Sequence, residues 1–121
     1  MANINNVVLV GRVGAEPEIR YFESGRVKAD FRLAIQKPTK DKETDWFDIK
    51  VWGDQVSVVE QYLRKGDLVG ILGRLEQEKW RTESGENRSK VVVNAVRIEL
   101  MPNKRDEAQG QQQEQEHDPF A

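Results

Sequence analysis

The segment from residue 45 to residue 52 alternates apolar and polar side chains, and this pattern constrains the fold more than any other part of the chain. Successive side chains of a β-strand point to opposite faces of the sheet. One face of this segment carries three apolar residues: Phe47, Ile49 and Val51. The other face mixes aromatic rings with charges: Trp46, Asp48, Lys50 and Trp52. The pattern predicts a strand with a buried apolar face and with two indole rings beside a lysine on its exposed face.

Exposed aromatic rings with a cation nearby are typical of surfaces on which unpaired bases stack. A tryptophan in a small β-domain more often belongs to the core. Here the apolar residues of the same strand already fill the inner face, so Trp46 and Trp52 are predicted to face outward. Trp80 is a weaker candidate. It stands between Lys79 and Arg81 beside a predicted hairpin, where a ring that caps the barrel or packs between subunits would fit equally well.

Residues 1–100 contain further strand patterns and one helix pattern. Apolar residues alternate from Val27 to Ile35, and strands are also predicted at 6–11, 67–80 and 88–100, with a shorter pairing at 18–22. Between these strands, Asp54 is the candidate N-cap of a helix, and Gly66 has the position of a left-handed residue at its C-terminal end. Three long strands, one helix and two further strands are the order of an OB-fold, an all-β barrel of five strands.

Residues 101–121 are predicted to form a disordered, acidic and glutamine-rich tail after the domain. This segment holds four apolar residues, too few to offset the entropy lost on folding. Its five acidic and two basic residues give a net charge of −3, whereas the whole chain has −2, so residues 1–100 carry about +1. A near-neutral domain lacks the strongly basic surface of many phosphate-binding proteins, although local clusters of charge matter more than the sum.

Several classes of protein are not expected from this sequence. The chain has no cysteine, which excludes disulfides and thiolate chemistry. It shows neither a signal-peptide pattern nor an apolar run of membrane-spanning length, so we expect a cytoplasmic protein. The single histidine, His117, lies in the predicted tail, and no cluster has metal-ligand spacing. We therefore expect no enzyme and no cofactor. A nuclease built on an OB barrel is the alternative that assays with magnesium or manganese would detect.

Several segments together resemble the bacterial-type single-stranded DNA-binding proteins, in particular their cyanobacterial members. The segments that carry the resemblance are 6–11 (NVVLVG), 17–21 (PEIRY), 46–53 (WFDIKVWG), 62–66 (YLRKG), 73–75 (GRL) with 79–80, and 84–85 with 91–93. The similarity covers about residues 3–100 and the last few residues. It implies binding and protection of single-stranded DNA without sequence preference, in replication, recombination and repair, by a protein associated with the nucleoid.

The resemblance also implies roles for individual residues. Three rings occupy base-stacking positions: Trp46, Trp52 and Trp80. Four cations match positions that contact the phosphate backbone: Arg64, Lys65, Lys79 and Arg88. Lys50, beside the two rings, and Arg20, which also suits an ordinary strand edge, complete the candidate set. Arg64 and Lys65 follow the predicted helix, where cations also interact favourably with the helix dipole, so both roles stay open.

Members of this family usually form homotetramers, and their acidic tails recruit replication and repair proteins. Asp118, Pro119 and Phe120 match the tail motif, but Ala121 follows them, which would weaken docking if partners read a terminal phenylalanine carboxylate. Two further departures concern DNA. The loop 36–44 contains no aromatic residue, and acidic residues stand where relatives often have basic or neutral ones: Asp48, Asp54, Glu76 and Glu78. We therefore expect a shallower salt dependence of binding than is usual for the family.

A protein-interaction module with reduced DNA affinity is the competing hypothesis. The near-neutral domain favours it, and the three tryptophans argue against it more strongly. RNA also stays open as a ligand, because stacking on an aromatic ring does not sense the 2′-hydroxyl group. Quenching of tryptophan fluorescence by oligo-dT would separate DNA binding from the interaction module.

Overall fold

The computed structural model of the chain describes residues 2–102. These residues form six β-strands, one turn of 3₁₀-helix and one short α-helix. In chain order the elements are β1 (Val7–Val13), β2 (Glu18–Tyr21), β3 (Val27–Gln36), β4 (Thr44–Trp52), the 3₁₀ turn (Gly53–Gln55), α1 (Val56–Tyr62), β5 (Leu68–Arg81) and β6 (Asn87–Leu100). The strands agree with the predicted segments to within a few residues at each end.

The strands close into a barrel in which β1, β5, β6, β4 and β3 follow one another and β3 pairs back to β1. β2 lies beside the first half of β3, on the same edge that β1 uses further along. β1 and β2 are thus one barrel strand interrupted at 14–17, where Pro17 has no N–H to donate to a ladder. The five-stranded OB-fold predicted from the sequence is therefore confirmed, with its first strand broken in two.

The barrel core consists of the inward faces that the alternation predicts. Side chains of β3 and β4 fill its centre: Ala29, Phe31, Leu33, Ile49 and Val51 are buried, and Phe47 packs against them partly buried. Buried residues of α1 and of the turn after it, Val56, Val59 and Leu63, close one end of the barrel. Because this core needs the odd-numbered side chains of β4, the even-numbered ones face outward, as predicted.

The start of the helix differs from the prediction. Asp54 lies within the 3₁₀ turn and its side chain caps no helix, since the α-helix begins two residues later with Gln55 as its N-cap residue. The side-chain oxygen of Gln55 instead accepts a hydrogen bond from the Ile98 N–H at 3.2 Å, which ties the turn to β6. Gly66 has the expected left-handed conformation, with φ of +89°. It lies in the turn after the helix, and its N–H donates to the Val13 carbonyl at 2.7 Å.

Two features considered above do not occur in the part of the chain that the structure describes. Within residues 2–102 no helix is long and apolar enough to cross a membrane. The same residues include no group of three or more His, Cys, Asp or Glu side chains placed to hold a metal ion. Of the predicted tail, only residues 101 and 102 are described, and there the Met101 N–H approaches the Leu68 carbonyl at 3.4 Å.

Candidate nucleic-acid interface

Trp46 projects from the outer face of β4, and 48% of its surface is exposed. The guanidinium carbon of Arg32, on the neighbouring strand, lies 4.8 Å from the centre of its ring. The other close neighbour is Gly14: a Cβ atom added there would lie 2.5 Å from Cζ3 of the indole. The ring therefore depends on a glycine for its position and keeps much of its surface open to a ligand.

Trp52 lies on the same face of β4 but is partly covered by the turn that joins β2 to β3. The Phe22 ring stacks on it, with ring centres 5.6 Å apart and an angle of 27° between the planes. The Arg26 guanidinium carbon lies 4.1 Å and Lys28 Nζ 5.5 Å from the centre of the indole. Trp52 is therefore part of an aromatic and cationic cluster rather than a fully open platform.

Trp80 lies near the end of β5 and is also 48% exposed. It pairs with Arg88 across the β5–β6 hairpin, and side chains of directly paired residues share one face of a sheet. Arg88 is held by Glu86, whose Oε2 accepts a hydrogen bond from its Nη2 at 2.8 Å. Lys79 pairs with Ser89 and therefore points to the opposite side of this hairpin from Trp80.

A continuous row of alternating charges crosses the outer face between these rings. It contains four cations and three carboxylates from β3, β4, β5 and β6, which we call the charge chain. In the order of their contacts, its members are Lys28, Asp30, Lys50, Glu78, Lys90, Asp48 and Arg32.

The centre of the charge chain is made by two lysines that share a glutamate. Lys50 Nζ lies 2.9 Å from Asp30 Oδ1 and 3.5 Å from Glu78 Oε2. Lys90 Nζ lies 3.9 Å from the other oxygen of Glu78 and 3.5 Å from Asp48 Oδ2. These contacts join strands that are far apart in sequence, since Asp48 and Lys90 are 42 residues apart.

Each end of the charge chain is a cation that lies over a tryptophan ring. Lys28 Nζ lies 3.5 Å from Asp30 Oδ1, and Arg32 Nε lies 3.7 Å from Asp48 Oδ1. The row therefore begins beside Trp52 and ends beside Trp46. Its net charge is +1, because three of its four positive charges are balanced by its own carboxylates.

Two lysines of the charge chain are largely buried, and their pKa values shift in opposite directions. Their side chains are 13% exposed for Lys28 and 16% exposed for Lys50. Burial, followed by the neighbouring Lys50 ammonium, lowers the pKa of Lys28. Burial also acts to lower the pKa of Lys50, but the Asp30 carboxylate and the other neighbouring groups outweigh it and raise that pKa. Asp30 therefore stabilises the charge of Lys50 more than that of Lys28.

The same face contains a shallow hollow of about 380 Å³ beside the charge chain. Arg20 lines it together with Glu16 from the interruption at 14–17, Glu18 of β2 and members of the charge chain. Arg20 pairs with Lys28 in the β2–β3 register and so shares its face. The hollow extends from β2 across β3 to β4.

Arg64 and Lys65 lie away from the charge chain, in the turn that follows α1. The Arg64 guanidinium donates hydrogen bonds to two carbonyls at the helix end, those of Glu60 at 3.1 Å and Leu63 at 2.8 Å. The Lys65 backbone N–H donates to Glu16 Oε1 at 3.2 Å. The helix-terminal role considered for Arg64 is thus observed, and its contact with phosphate stays a prediction.

The structure brings six of the predicted residues to one outer face of the sheet: Arg20, Trp46, Lys50, Trp52, Trp80 and Arg88. Lys79 is on the other side of the hairpin, and Arg64 and Lys65 follow the helix. The predicted tail residues Asp118, Pro119 and Phe120 lie outside the described residues.

Sequence reasoning missed five further residues of this face: Phe22, Arg26, Lys28, Arg32 and Lys90. The alternation of β3 places Lys28 and Arg32 outward, which was the available signal for those two. No local pattern indicates Lys90, because its place in the row depends on how β6 aligns with β5.

Known proteins are similar to this chain in sequence and in fold. Residues 4–101 match the Single-strand binding protein family. The chain belongs to that family. A similar relative is the "Single-stranded DNA-binding protein" of Thermosynechococcus vestitus, which is 44% identical over 104 residues, or 85% of this chain and 87% of the relative. "Single-stranded DNA-binding protein 1" of Synechocystis sp. is 42% identical over 110 residues, or 88% of this chain and 91% of the relative.

A solved structure has the same fold. It is described as a Plasmodium falciparum SSB complex with ssDNA, and it matches with a TM-score of 0.75 and 28% sequence identity. The match covers 84% of this chain and 98% of the other. These similarities confirm the family resemblance and the OB-fold, whereas the roles of individual site residues stay predictions.

Proposed function

We propose that this chain binds single-stranded DNA, without sequence preference, on the outer face that carries the charge chain. The observation that carries the proposal is a row of cations with an indole ring at each end, continued by Trp80 and Arg88 on the hairpin. Relatives named as single-stranded DNA-binding proteins, and a similar structure described as a complex with ssDNA, support it.

The proposed mode of binding needs no chemical step and no cofactor. Bases stack on Trp46 and Trp80, a contact that every base can make because every base has an aromatic face. Phosphates between the stacked bases replace carboxylates beside the lysines and arginines of the row. Protein bound along the strand in this way would protect it during replication, recombination and repair. The expected location is the nucleoid, in the cytoplasm.

The test of this function is a fluorescence titration with oligo-dT in low and in moderate salt. We expect strong, saturable quenching, and Trp46→Ala and Trp80→Ala should each cost about 1–3 kcal/mol of binding free energy. Tyr62→Ala removes an exposed aromatic residue that belongs to α1 and not to the charge chain, and serves as the control. A protein whose fluorescence does not respond to oligo-dT in either salt would instead be assigned to the interaction modules. A competing oligo-U would report whether RNA shares the site.

We further propose that the acidic tail recruits replication and repair proteins through Asp118, Pro119 and Phe120. The family resemblance supports this role. Because the tail is acidic, it should also compete weakly with DNA for the cations of the binding face. A chain ending at Pro102 should then lose affinity for such partners and bind oligo-dT more tightly at low salt. Unchanged partner binding and unchanged DNA affinity would remove the tail from the mechanism.

Assembly into a homotetramer is also proposed, in line with the family. Two exposed apolar residues, Val8 on β1 and Leu72 on β5, face each other on the outside of the barrel. Within residues 2–102, residues 7–10 of β1 pair only with β5. The opposite edge of this part of β1 is therefore open to a strand of a second copy. Val8→Glu should reduce the mass measured by light scattering, whereas Tyr62→Glu should not. A wild-type chain with the mass of a monomer would contradict the proposal.

A further inference from the structure

We propose that the carboxylates of the charge chain determine specificity: Asp48 and Glu78 suppress binding of polyanions that offer phosphates without bases free to stack. This proposal rests on the proposed binding of single-stranded DNA to the same face. Its ligands are distinguished by chemistry: an unpaired strand offers both phosphates and bases, whereas a duplex or an abasic strand offers phosphates with no accessible base.

The first step is that the cations of the row already have anionic partners. Glu78 lies within 4 Å of two lysines, Lys50 at 3.5 Å and Lys90 at 3.9 Å. Asp48 bridges Lys90 at 3.5 Å and Arg32 at 3.7 Å. A phosphate that binds any of these three cations therefore competes with a carboxylate already in contact with it.

The second step concerns the net gain from exchanging a carboxylate for a phosphate. The exchange replaces one ion pair by another and leaves a carboxylate beside a polyanion, which repels it. The released carboxylate takes up a counterion from solution, so fewer ions are released overall and less of the usual driving force remains. A ligand that offers only phosphates therefore gains little binding free energy on this face.

The third step is that the carboxylates leave the aromatic rings accessible. Trp46 and Trp80 are each 48% exposed, and the charged group over Trp46 is the cation Arg32 rather than an acid. Each stacked base raises affinity by about tenfold. The carboxylates therefore weaken the binding of all polyanions through their phosphates, and stacking restores affinity only for single strands.

The experiment compares the full chain with Asp48→Asn, Glu78→Gln and the double variant. The probes are oligo-dT, an abasic strand with the same number of phosphates, and a duplex, each labelled for anisotropy at one fixed salt concentration. Glu99→Gln is the matched control, since it removes the same charge from β6, where Glu99 pairs with Arg97 outside the charge chain. Circular dichroism melting checks that each variant is folded.

We expect wild type to bind oligo-dT at least about a hundredfold more tightly than the duplex or the abasic strand. Each single variant should bind the duplex and the abasic strand about tenfold more tightly than wild type, and the double variant more tightly again. The log–log salt slope should steepen for each additional net charge by about 0.7 on the single strands and by about 0.9 on the duplex. Glu99→Gln should change these values by threefold or less.

Two results would overturn the inference while leaving the proposed function intact. One is wild-type binding to oligo-dT together with variants that gain no more duplex affinity than Glu99→Gln does. The other, which does not depend on the variants folding, is a wild-type protein that binds the duplex as tightly as oligo-dT. A wild type that binds none of the probes would instead contradict the proposed function, and the inference with it.

Discussion

At the scale of single residues, the position of an exposed ring depends on what lies beneath it. Trp46 can occupy its position on the outer face because Gly14 has no side chain, and the Arg32 guanidinium lies over its ring. A glycine with no functional side chain of its own thus controls how an exposed ring is positioned.

Gly14→Ala is expected to weaken binding through Trp46. The new methyl group would lie 2.5 Å from indole Cζ3, so the ring must move, which should cost up to the value of one stacked base, about 1–3 kcal/mol of binding free energy. Titration with oligo-dT measures the loss, and thermal unfolding checks the fold. In a Trp46→Ala background the same substitution should have little further effect; an equal loss in both backgrounds would show that Gly14 acts independently of the ring.

The two buried lysines should respond differently to removal. The pKa of Lys28 is lowered in the folded state, so its charged form opposes folding below that pKa and the penalty disappears as pH rises through it. The pKa of Lys50 is raised, so its charge stabilises the fold below the unfolded value of 10.5 and this contribution is lost as pH rises through the folded pKa.

At pH 7, Lys50→Met should therefore lower the free energy of unfolding by about 1 kcal/mol, and Lys28→Met should leave it unchanged or raise it. Urea unfolding at pH 7 measures both, and the difference between the variants should shrink as pH rises above the unfolded lysine pKa of 10.5. If Lys28→Met is the more destabilising of the two at pH 7, the inference that Asp30 stabilises the charge of Lys50 more than that of Lys28 is wrong.

At the scale of elements, the end of α1 shows how one residue type can serve structure where a motif suggests binding. Arg64 follows a helix of seven residues and donates to two of its terminal carbonyls. Lys65, next to it, donates its backbone N–H to the Glu16 carboxylate. The neighbouring cations therefore have different structural roles.

Arg64→Met should lower the free energy of unfolding by about 1 kcal/mol, because two carbonyls at the helix end lose their donor. Lys65→Met keeps the backbone hydrogen bond and should leave stability within about 0.5 kcal/mol of wild type. Urea unfolding of both variants tests this contrast. Salt titrations of DNA binding then report on phosphate binding separately, because the magnitude of the log–log slope should fall by about 0.7 for each phosphate that a variant no longer binds.

At the scale of the whole molecule, opposite charges are distributed over four strands so that the charge chain has a net charge of only +1. Four cations that each bound a phosphate would give a log–log salt slope of about −2.8, whereas the net charge of +1 corresponds to about −0.7. We expect the slope contributed by the charge chain to lie near the smaller magnitude. Salt titrations of wild type, of Lys50→Met and of the Lys50→Met, Lys90→Met double variant measure that contribution. The first substitution should reduce the magnitude of the slope by about 0.7, and a second reduction of the same size in the double variant would contradict the prediction.

Much of this fold follows from local pattern. The alternation in β3 and β4 assigns each side chain to the core or to the outer face, and the structure agrees for Phe31, Leu33, Ile49 and Val51. The outward position of Trp46 follows in the same way, because a period of two residues leaves no other choice once one face is buried. The helix start was predicted less well: a 3₁₀ turn precedes α1, and Gln55 is bound by β6.

The sequence by itself determined which residues face outward, where the barrel strands lie and which family the chain belongs to, because these depend on residue types at short, regular spacing. Only the tertiary structure decided that Asp48 meets Lys90 and that Lys50 meets both Asp30 and Glu78. Closure of the barrel sets those pairs, since it fixes the register of strands that are distant in sequence. Local alternation carries no information about register between such strands, so the charge chain became visible only in the folded barrel.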